Sequence, residues 1–437
     1  MRKIVGEWVK KCKKLPKIGE MTHIDRCRTA FELKDPDIVP IMPELDQWPI
    51  YYAGYNFKDT WEDLDAWADG LLKCYHDFRC DCIWPYACPS FAVDPFLTPE
   101  ERKKWYNIRD TRSYVLYNEI TDNLDKIIER LEKKPWEKYG YGRQELYGKN
   151  FQDMLDFKEA MDGEIAIIPG LWNTSNLCEW MVGVQHFIEW TVTEPKEKVH
   201  YYMQLMHDYV DSALEGFAEV CAKRGVEFFC IFGGSRTWGP KQFEEFGMYD
   251  NLIANKASKL FKYVFHHVCG NNLPYAMQHL ASFPYDGFQY DEKMQQFDWS
   301  WAKWTEWVAR LCEGKAVPMN APTTQVCAWG TPQEIDTMVK EFIEHTTPFV
   351  PAGIMPGCEL SIHTSAENVR AMIEGGRKWG KYPECKTRAK LIWTDEEFKA
   401  SLPKLVAPEG KMPVWAWYWQ KIPDRFRIKH EEIYPKT

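Results

Sequence analysis

Short runs of β-branched and aromatic residues alternate with longer amphipathic runs along most of this 437-residue chain. This alternation is typical of an α/β fold in which helices connect parallel strands. We identify eight candidate strands, which is the number that closes a (β/α)8 barrel. They span residues 37–42, 80–84, 164–169, 226–232, 263–268, 288–291, 316–320 and 349–354.

The segments between these strands carry helix signals. Residues 60–78 follow a threonine cap and place apolar residues at three- and four-residue spacing, and residues 195–222 continue this pattern for longer. The run from Thr331 to Glu334 combines a cap, a first-turn proline and an acidic third residue, which predicts a helix start. Ser365 opens another predicted helix.

We therefore predict a single (β/α)8 TIM-type barrel over residues 35–383. Residues 1–34 form an N-terminal extension, and residues 384–437 form a C-terminal tail packed on the barrel. The stretch from Thr98 to Gly163 is longer than an ordinary crossover, which predicts an insertion after the second strand. Reactive groups of such barrels lie at the carboxyl ends of the strands, so residues just past each strand are the candidates for chemistry.

Composition excludes several classes of function. The chain has 55 basic and 64 acidic residues and a formal charge of -9, which argues against nucleic-acid binding. No window holds the roughly 18 uninterrupted apolar residues of a spanning helix, so we expect no membrane span. Its 14 cysteines come without a secretory signal, which predicts a cytoplasmic protein whose thiols serve metal binding, catalysis or the core.

Three residues at predicted strand ends form a candidate metal site. His267 and Cys269 end the fifth strand, and side chains two positions apart on a strand point the same way. Cys358 follows the eighth strand, and strand ends of a closed barrel face one mouth. One imidazole and two thiolates suit Zn²⁺, with a fourth position open as in catalytic sites. The alternative is that these residues pack at the rim of the barrel without binding a metal.

Six short segments together are typical of one protein family. They are 37-DIVPIM-42, 182-VGVQHF-187, 267-HVCGN-271, 330-GTPQE-334, Gly357-Cys358 and Glu367-Asn368-Val369. In these segments the chain resembles the uroporphyrinogen decarboxylase superfamily, and within it the zinc-dependent, corrinoid-linked methyltransferase branch. The resemblance covers roughly residues 26–383, and it implies that His267, Cys269 and Cys358 are the zinc ligands.

The resemblance implies an enzyme that moves a methyl group between a small substrate and cobalamin. The chain lacks an Asp-x-His-x-x-Gly run, so we expect a separate corrinoid protein to carry the cobalamin. A methoxylated aromatic substrate that undergoes O-demethylation is favoured. The alternatives are a methylcobamide-to-thiol methyltransferase of the coenzyme M type, a metal-free decarboxylase and a non-catalytic ligand-binding barrel. True decarboxylases carry an arginine-rich run after the first strand, where this chain has 44-ELDQW-48.

Further candidates surround the predicted barrel mouth. Glu359 beside Cys358, Asp291 after the sixth strand and His279 are candidates for acid–base or ligand-orienting roles. Arg236 is a candidate anion clamp after the fourth strand. Aromatic residues make up 15% of the chain, and pockets for flat ligands have aromatic walls, although each such residue has a packing role as its alternative. The candidate substrate-binding aromatics are Trp48, Tyr51, Trp84, Tyr86, Trp172, Trp238 and Tyr290.

Overall fold

A computed structural model gives the fold of this chain. It describes residues 1–56, 63–85, 95–98, 100–101, 120–139, 144–233, 238–268, 270, 274–292, 298–388, 391–402 and 433. Within these residues, none of the helices is both long enough and apolar enough to cross a lipid bilayer.

All the named strands pair in parallel, which confirms the predicted α/β class. Two strands form one small sheet, and the other six form a second sheet in sequence order. Buried side chains on both faces explain the near-continuous apolar runs, as in other parallel sheets covered by helices. The strands are β1 Cys82–Ile83, β2 Ala166–Ile167, β3 Gly170–Trp172, β4 Phe228–Phe232, β5 Tyr263–Val268, β6 Gly287–Tyr290, β7 Val317–Asn320 and β8 Gly353–Ile354.

The first predicted strand, residues 37–42, forms only isolated bridges at Ile38 and Ile41. Pro40 interrupts this segment and has no N–H to donate to a ladder. Backbone hydrogen bonds nevertheless join the segment to β8, since the Ile354 N–H donates to Pro40 and the Met42 N–H donates to Ile354, both at 2.8 Å. On its other side, the Asp81 N–H donates to the carbonyl of Ile41 at 2.7 Å.

Helices connect the strands and precede them. The two clearest start signals are confirmed: Thr331 and Glu334 form a capping box, and the Ser365 side chain accepts from the Asn368 N–H. The helices are α1 Lys3–Cys12, α2 His23–Phe31, α3 Trp48–Tyr52, α4 Leu64–Phe78, α5 Leu124–Glu132, α6 Pro135–Tyr139, α7 Gln144–Ala160, α8 Thr174–Val182, α9 Val184–Thr193, α10 Lys196–Lys223, α11 Pro240–Phe246, α12 Met248–Leu260, α13 Pro274–Leu280, α14 Trp301–Cys312, α15 Thr324–Trp329, α16 Pro332–Thr346, α17 Ala366–Trp379 and α18 Asp395–Ser401, with a 3₁₀ turn at Glu384–Thr387.

Two apolar clusters form the core. The larger one lies between the strands and the helices that cover them. The smaller one, which we call the inner cluster, contains strand residues whose neighbours along the chain belong to the larger cluster. It includes Cys82, Cys230 and Met319, together with Phe31 of α2. Gly287 of β6 leaves room for this packing, because a Cβ there would lie 2.8 Å from Phe31 and Phe265. Helix α2 therefore packs against the inner face of the strands.

Part of the C-terminal segment is held by one buried carboxylate. Glu306 of α14 is fully buried and accepts hydrogen bonds from the backbone N–H groups of Ile392 and Trp393 at 2.7 and 3.0 Å. Arg310 and His345 pair with the same carboxylate at 3.2 and 3.3 Å. This arrangement ties residues 391–393 to the helix layer.

Candidate functional site

One row of paired residues crosses the carboxyl ends of five strands, β3 to β7. Trp172 pairs with Phe232, Phe232 with His267, His267 with Gln289, and Gln289 with Met319. Paired residues of neighbouring strands lie at one level and point to the same face of the sheet. His267 and Gln289 are therefore neighbours on the face that also carries Phe232 and Met319 of the inner cluster.

The His267 imidazole is buried and has a partner at each nitrogen. Its Nδ1 lies 2.7 Å from Oε1 of Gln289, and its Nε2 lies 3.6 Å from Sγ of Cys358. The Gln289 amide nitrogen donates to the carbonyl of Pro356 at 2.8 Å, so its oxygen must face the imidazole. Nδ1 therefore carries the proton in the neutral ring, and the lone pair of Nε2 points at Cys358.

Cys358 is placed by the loop that follows β8. The N–H of the preceding Gly357 donates to the carbonyl of Pro322 at 3.1 Å. Cys358 is partly exposed, whereas the other cysteines in the described residues are buried. Its thiol is thus the one that combines access to solvent with an imidazole partner.

The distance between the two side chains matches a shared zinc ion. Zn–N and Zn–S bonds of about 2.0 and 2.3 Å at a tetrahedral angle put nitrogen and sulfur about 3.5 Å apart. The observed separation is 3.6 Å. The third predicted ligand, Cys269, lies outside the described residues, and the described residues alone contain no group of three metal-binding side chains. His267 and Cys358 therefore fit a zinc site, with Cys269 still to be placed.

Three carboxyl groups lie beside this pair. Glu44 is buried, and its Oε2 lies 3.4 Å from Nδ1 of His267 and 3.3 Å from the amide nitrogen of Gln289. Asp46 is also buried and hydrogen-bonds to Glu359, the residue after Cys358. Burial raises the pKa of Asp46 well above its ordinary value, and the charges of Glu359 and Glu44 raise it further. Neighbouring carboxyl groups disfavour each other's charged form, and this is the direction in which Glu359 and Glu44 shift the pKa of Asp46.

Asp291 lies under the Cys358 loop. Its carboxylate accepts from the backbone N–H and hydroxyl of Thr324 at 3.1 and 3.0 Å, at the start of α15. A Cβ on Gly357 would lie 1.9 Å from Oδ1 of Asp291. The Asp291 carboxylate therefore lies close to Gly357 and binds Thr324, and its ligand-orienting or acid–base role stays a prediction.

Two of the candidate aromatics lie on the inner side of the strands. Trp172 is partly exposed, and its ring centroid lies 4.3 Å from that of Trp180 and 5.2 Å from that of Phe232. The Phe232 ring in turn lies 5.6 Å from His267. Trp84 is buried in the inner cluster and donates to the carbonyl of Met42 at 3.3 Å.

The other described aromatics belong to the helix-layer core. Trp48 is buried, stacks on Tyr52 at 4.9 Å and donates to the carbonyl of Thr364 at 2.8 Å. Tyr51 packs at the edge of the same core, and Trp238 is buried against rings of α9 and α11. Tyr290 alternates with Gln289 along β6 and points to Trp304 of α14, at 6.2 Å. These four side chains have packing contacts in this core, and their substrate-binding role stays a prediction.

The profile of the uroporphyrinogen decarboxylase family matches residues 156–379, just over half of the chain. The chain belongs to this family. The matched segment includes Trp172, His267, Gln289 and Cys358, whereas Glu44 and Asp46 lie before it.

The solved structures that match this uroporphyrinogen decarboxylase family member include some with little sequence identity to it. A methyltransferase from Methanosarcina mazei has the same fold, with a TM-score of 0.64 and 16% identity over 82% of this chain and 99% of that one. The carboxyl transferase domain of Rhizobium etli pyruvate carboxylase covers 85% of this chain and 48% of its own at 11% identity, and its TM-score of 0.30 says nothing about this fold.

One curated sequence relative matches a short segment. It is the 3-deoxy-manno-octulosonate cytidylyltransferase of Geobacter sulfurreducens, which is 23% identical over 133 residues, or 27% of this chain. The match spans about half of that protein, at 53% of its length.

Some predicted site residues of this family member cannot be placed. Cys269, Tyr86 and Arg236 lie outside the described residues, as does the side chain of His279. Their roles stay predictions from the sequence.

Sequence reasoning missed three residues of the site. Glu44 and Asp46 drew attention only as the place where decarboxylases have arginines, and Gln289 drew none. Side chains alternate along β6, so Gln289 lies on the face opposite Tyr290, and this could have been predicted from the sequence alone. The signal that was lacking is the register that places Gln289 beside His267.

Proposed function

We propose that this protein is a zinc-dependent methyltransferase that moves a methyl group from a methoxylated aromatic to the cobalamin of a separate corrinoid protein. The observation that carries the proposal is the pairing of the His267 Nε2 lone pair with the Cys358 thiol at the zinc-compatible distance of 3.6 Å. The fold shared with the Methanosarcina mazei methyltransferase supports it.

We further propose that the strands close into one (β/α)8 barrel. The bonds of residues 40–42 to Ile354 on one side and to Asp81 on the other support closure, because they link the ends of the two sheets. The inner cluster supports it as well, since it draws residues from strands of both sheets and from Met42. The row from Trp172 to Met319 then belongs to the mouth of the barrel, where (β/α)8 enzymes carry their active sites.

In this proposal His267, Cys269 and Cys358 hold the zinc ion. Bound zinc supplies Lewis acidity toward the oxygen of the methyl ether. The Gln289 amide keeps the imidazole in the tautomer that such binding needs. The corrinoid of the partner protein would accept the methyl group, and the phenolate oxygen released from the ether would then need a proton from this chain.

The side chains near His267 divide the remaining tasks. Trp172 and Phe232 offer a flat apolar wall that leads to the imidazole, and we propose that the substrate ring lies against Trp172 because that indole is partly exposed. Glu359 stays our acid–base candidate and Asp46 joins it, since their hydrogen-bonded carboxyl groups hold a proton for the departing phenolate oxygen.

Electrostatics favour a neutral methyl ether over an anionic thiol of the coenzyme M type. Glu44 and Glu359 lie near Cys358 together with the Asp46 carboxyl group, and among the described residues the charges of the two glutamates make this part of the site negative. A sulfonate or carboxylate on the substrate would meet these groups and be repelled. The same argument disfavours porphyrinogen decarboxylation, which needs cationic side chains for substrate carboxylates.

The first test is metal content and methyl transfer. We expect one zinc ion per wild-type chain and loss of zinc in His267→Ala, Cys269→Ser and Cys358→Ser. Cys327→Ser is the matched control, because Cys327 is a buried cysteine of α15 and is not predicted to bind zinc. The enzyme is then offered methoxybenzenes and simple thiols together with a cob(I)alamin-loaded corrinoid protein.

Three results would contradict the proposal. Wild-type protein without stoichiometric zinc would leave His267 and Cys358 as a thiol–imidazole pair. Turnover of thiols with no turnover of any aryl methyl ether would reverse the substrate assignment. Zinc without methyl transfer to any corrinoid acceptor would favour the non-catalytic binding barrel.

A further inference from the structure

Gln289 joins the two elements that carry the candidate zinc ligands. Its side-chain oxygen meets Nδ1 of His267 on β5 at 2.7 Å, and its nitrogen meets the carbonyl of Pro356 at 2.8 Å. Pro356 lies two residues before Cys358, in the loop that follows β8. One amide group therefore bridges the strand that carries His267 and the loop that carries Cys358, and these two residues are 91 positions apart in the sequence.

Only an amide satisfies both ends of this bridge. The Pro356 carbonyl can only accept, so it needs an N–H donor, and the protonated Nδ1 of His267 needs an acceptor. Gln289 supplies both from one rigid group, and its second N–H faces Oε2 of Glu44 at 3.3 Å. A carboxylate would lose the donor, and an alkyl side chain would lose both functions.

Burial makes the bridge costly to replace. Gln289 is fully buried and His267 is 1% exposed. Water does not reach these groups freely, so a buried polar group that loses its partner here stays unpaired. The side chain is also held at its base, because β6 pairs with β5 and β7 at this level.

We propose that Gln289 is a positioning residue that fixes the imidazole of His267 and the loop of Cys358 at once, so that the two ligands are set for one zinc ion. This inference rests on the proposed function for its metal. Side chains that orient metal ligands typically change metal affinity by about 10–100-fold when they are removed.

The test measures zinc affinity by competition with a chromophoric chelator, together with the visible spectrum of the Co²⁺-substituted protein. Gln289→Leu removes both hydrogen bonds. Gln289→Asn keeps the amide but is one methylene shorter and cannot reach both partners, and it serves if the leucine variant does not fold. We expect each variant to bind zinc about 10–100-fold more weakly than the wild type. The thiolate-to-Co²⁺ charge-transfer absorption should also weaken in both.

The matched control is Asn150→Leu. Asn150 is a buried amide of α7 that donates to the carbonyl of Pro85 at 3.0 Å, as Gln289 does to Pro356, and its identified contact is to neither ligand. It should lose stability while its zinc affinity stays within about twofold of wild type, which separates positioning from general loosening of the core.

The outcomes separate this inference from the proposed function. If wild-type protein takes up no zinc, both fail. If the wild type binds zinc and folded Gln289→Leu and Gln289→Asn bind it within twofold of the same affinity, the positioning role is overturned and the zinc site stands. If Asn150→Leu loses as much affinity as the Gln289 variants, the effect is not specific and the positioning role is likewise overturned.

Discussion

The two ends of the strands bury polar groups in opposite ways. At the amino end, the Arg26 guanidinium of α2 donates to both oxygens of Asp37 at 2.8 and 3.0 Å and to Asp81 at 2.5 Å. Asp81 also meets His23 at 2.6 Å and the Ile41 N–H at 2.6 Å. Each carboxylate there faces a cation or a backbone donor.

The carboxyl end places like groups together. Asp46 and Glu359 are two acids in one hydrogen bond, and Glu44 lies near both the imidazole and Asp46. Asp46 also adopts a φ of 44°, in the left-handed region that is unusual for a residue with a side chain. Stability does not explain such an arrangement, whereas binding or proton transfer does. The comparison teaches that the amino end is built to hold the fold, and it agrees with our proposal that the chemistry lies at the carboxyl end.

The largest effect that the comparison predicts is on stability, at the amino end. Asp81→Ala leaves the Arg26 guanidinium and His23 buried with one partner fewer, and removal of one member of a buried ion pair costs about 3–5 kcal/mol. We expect the free energy of unfolding in urea to fall by that amount. Zinc affinity of the folded protein should stay unchanged, and a loss of zinc in the folded variant would break the division between the two ends.

Much of this fold was predictable from local sequence. Residues 263–268 were predicted as a strand and form one, because their apolar run is continuous. The capping box of Thr331 and Glu334 depends only on neighbours in the chain and was predicted as well. Residues 37–42 pair less than predicted, because Pro40 removes a donor.

The candidate site was predictable only in part. His267 was found because it lies at the end of a strand and Cys358 because it follows one, and the structure brings them within 3.6 Å. Gln289 and Glu44 were missed. Alternation within one strand can be predicted from local sequence, but the register that places residues of neighbouring strands side by side depends on how the connecting helices pack. Asp291 was predicted near the site, and its bonds to Thr324 became visible only in three dimensions.

A smaller effect is expected at the loop of Cys358. Gly357→Ala places a methyl group 1.9 Å from Oδ1 of Asp291, so the loop or the carboxylate must shift. A displacement of about 1 Å at a reacting group lowers activity by about 100-fold, and we expect a loss of that size in methyl transfer.

The control for this substitution is Gly216→Ala on α10, where nothing lies within 4 Å of the added methyl group. This control should keep full activity. Asp291→Ala combined with Gly357→Ala should recover part of the lost activity, because it removes the atom that the new methyl group meets. Full activity in Gly357→Ala alone would show that the loop position does not matter.

The carboxyl end should gain stability when its acid pair is weakened. Burial and the neighbouring charges of Glu359 and Glu44 raise the pKa of Asp46, so at neutral pH the folded state is penalised for holding an acid there. Asp46→Asn removes that penalty, and we expect the free energy of unfolding at pH 7 to rise by about 1 kcal/mol, a usual size for relief of a strained active site. Methyl transfer should fall in the same variant. A less stable Asp46→Asn protein would contradict the contrast between the two ends.

Asp37 at the amino end should respond to pH in the opposite sense. Burial works against its charge, but the hydrogen bond from Arg26 and the backbone N–H of Met21 lower the pKa of Asp37 from 3.8 to about 2. A carboxylate with a lowered pKa in the folded state stabilises the protein above its unfolded pKa, and this contribution disappears as the pH falls toward the folded pKa. Between pH 6 and pH 3 the loss amounts to at most about 1 kcal/mol, since Asp37 is partly exposed to screening.

We expect the free energy of unfolding of Asp37→Asn to start lower than that of wild type at pH 6 and to fall less steeply with acid, so that urea curves of the two proteins converge. Parallel pH profiles would mean that the charge on Asp37 does not contribute to holding α2 against the strands, and that its backbone hydrogen bonds suffice.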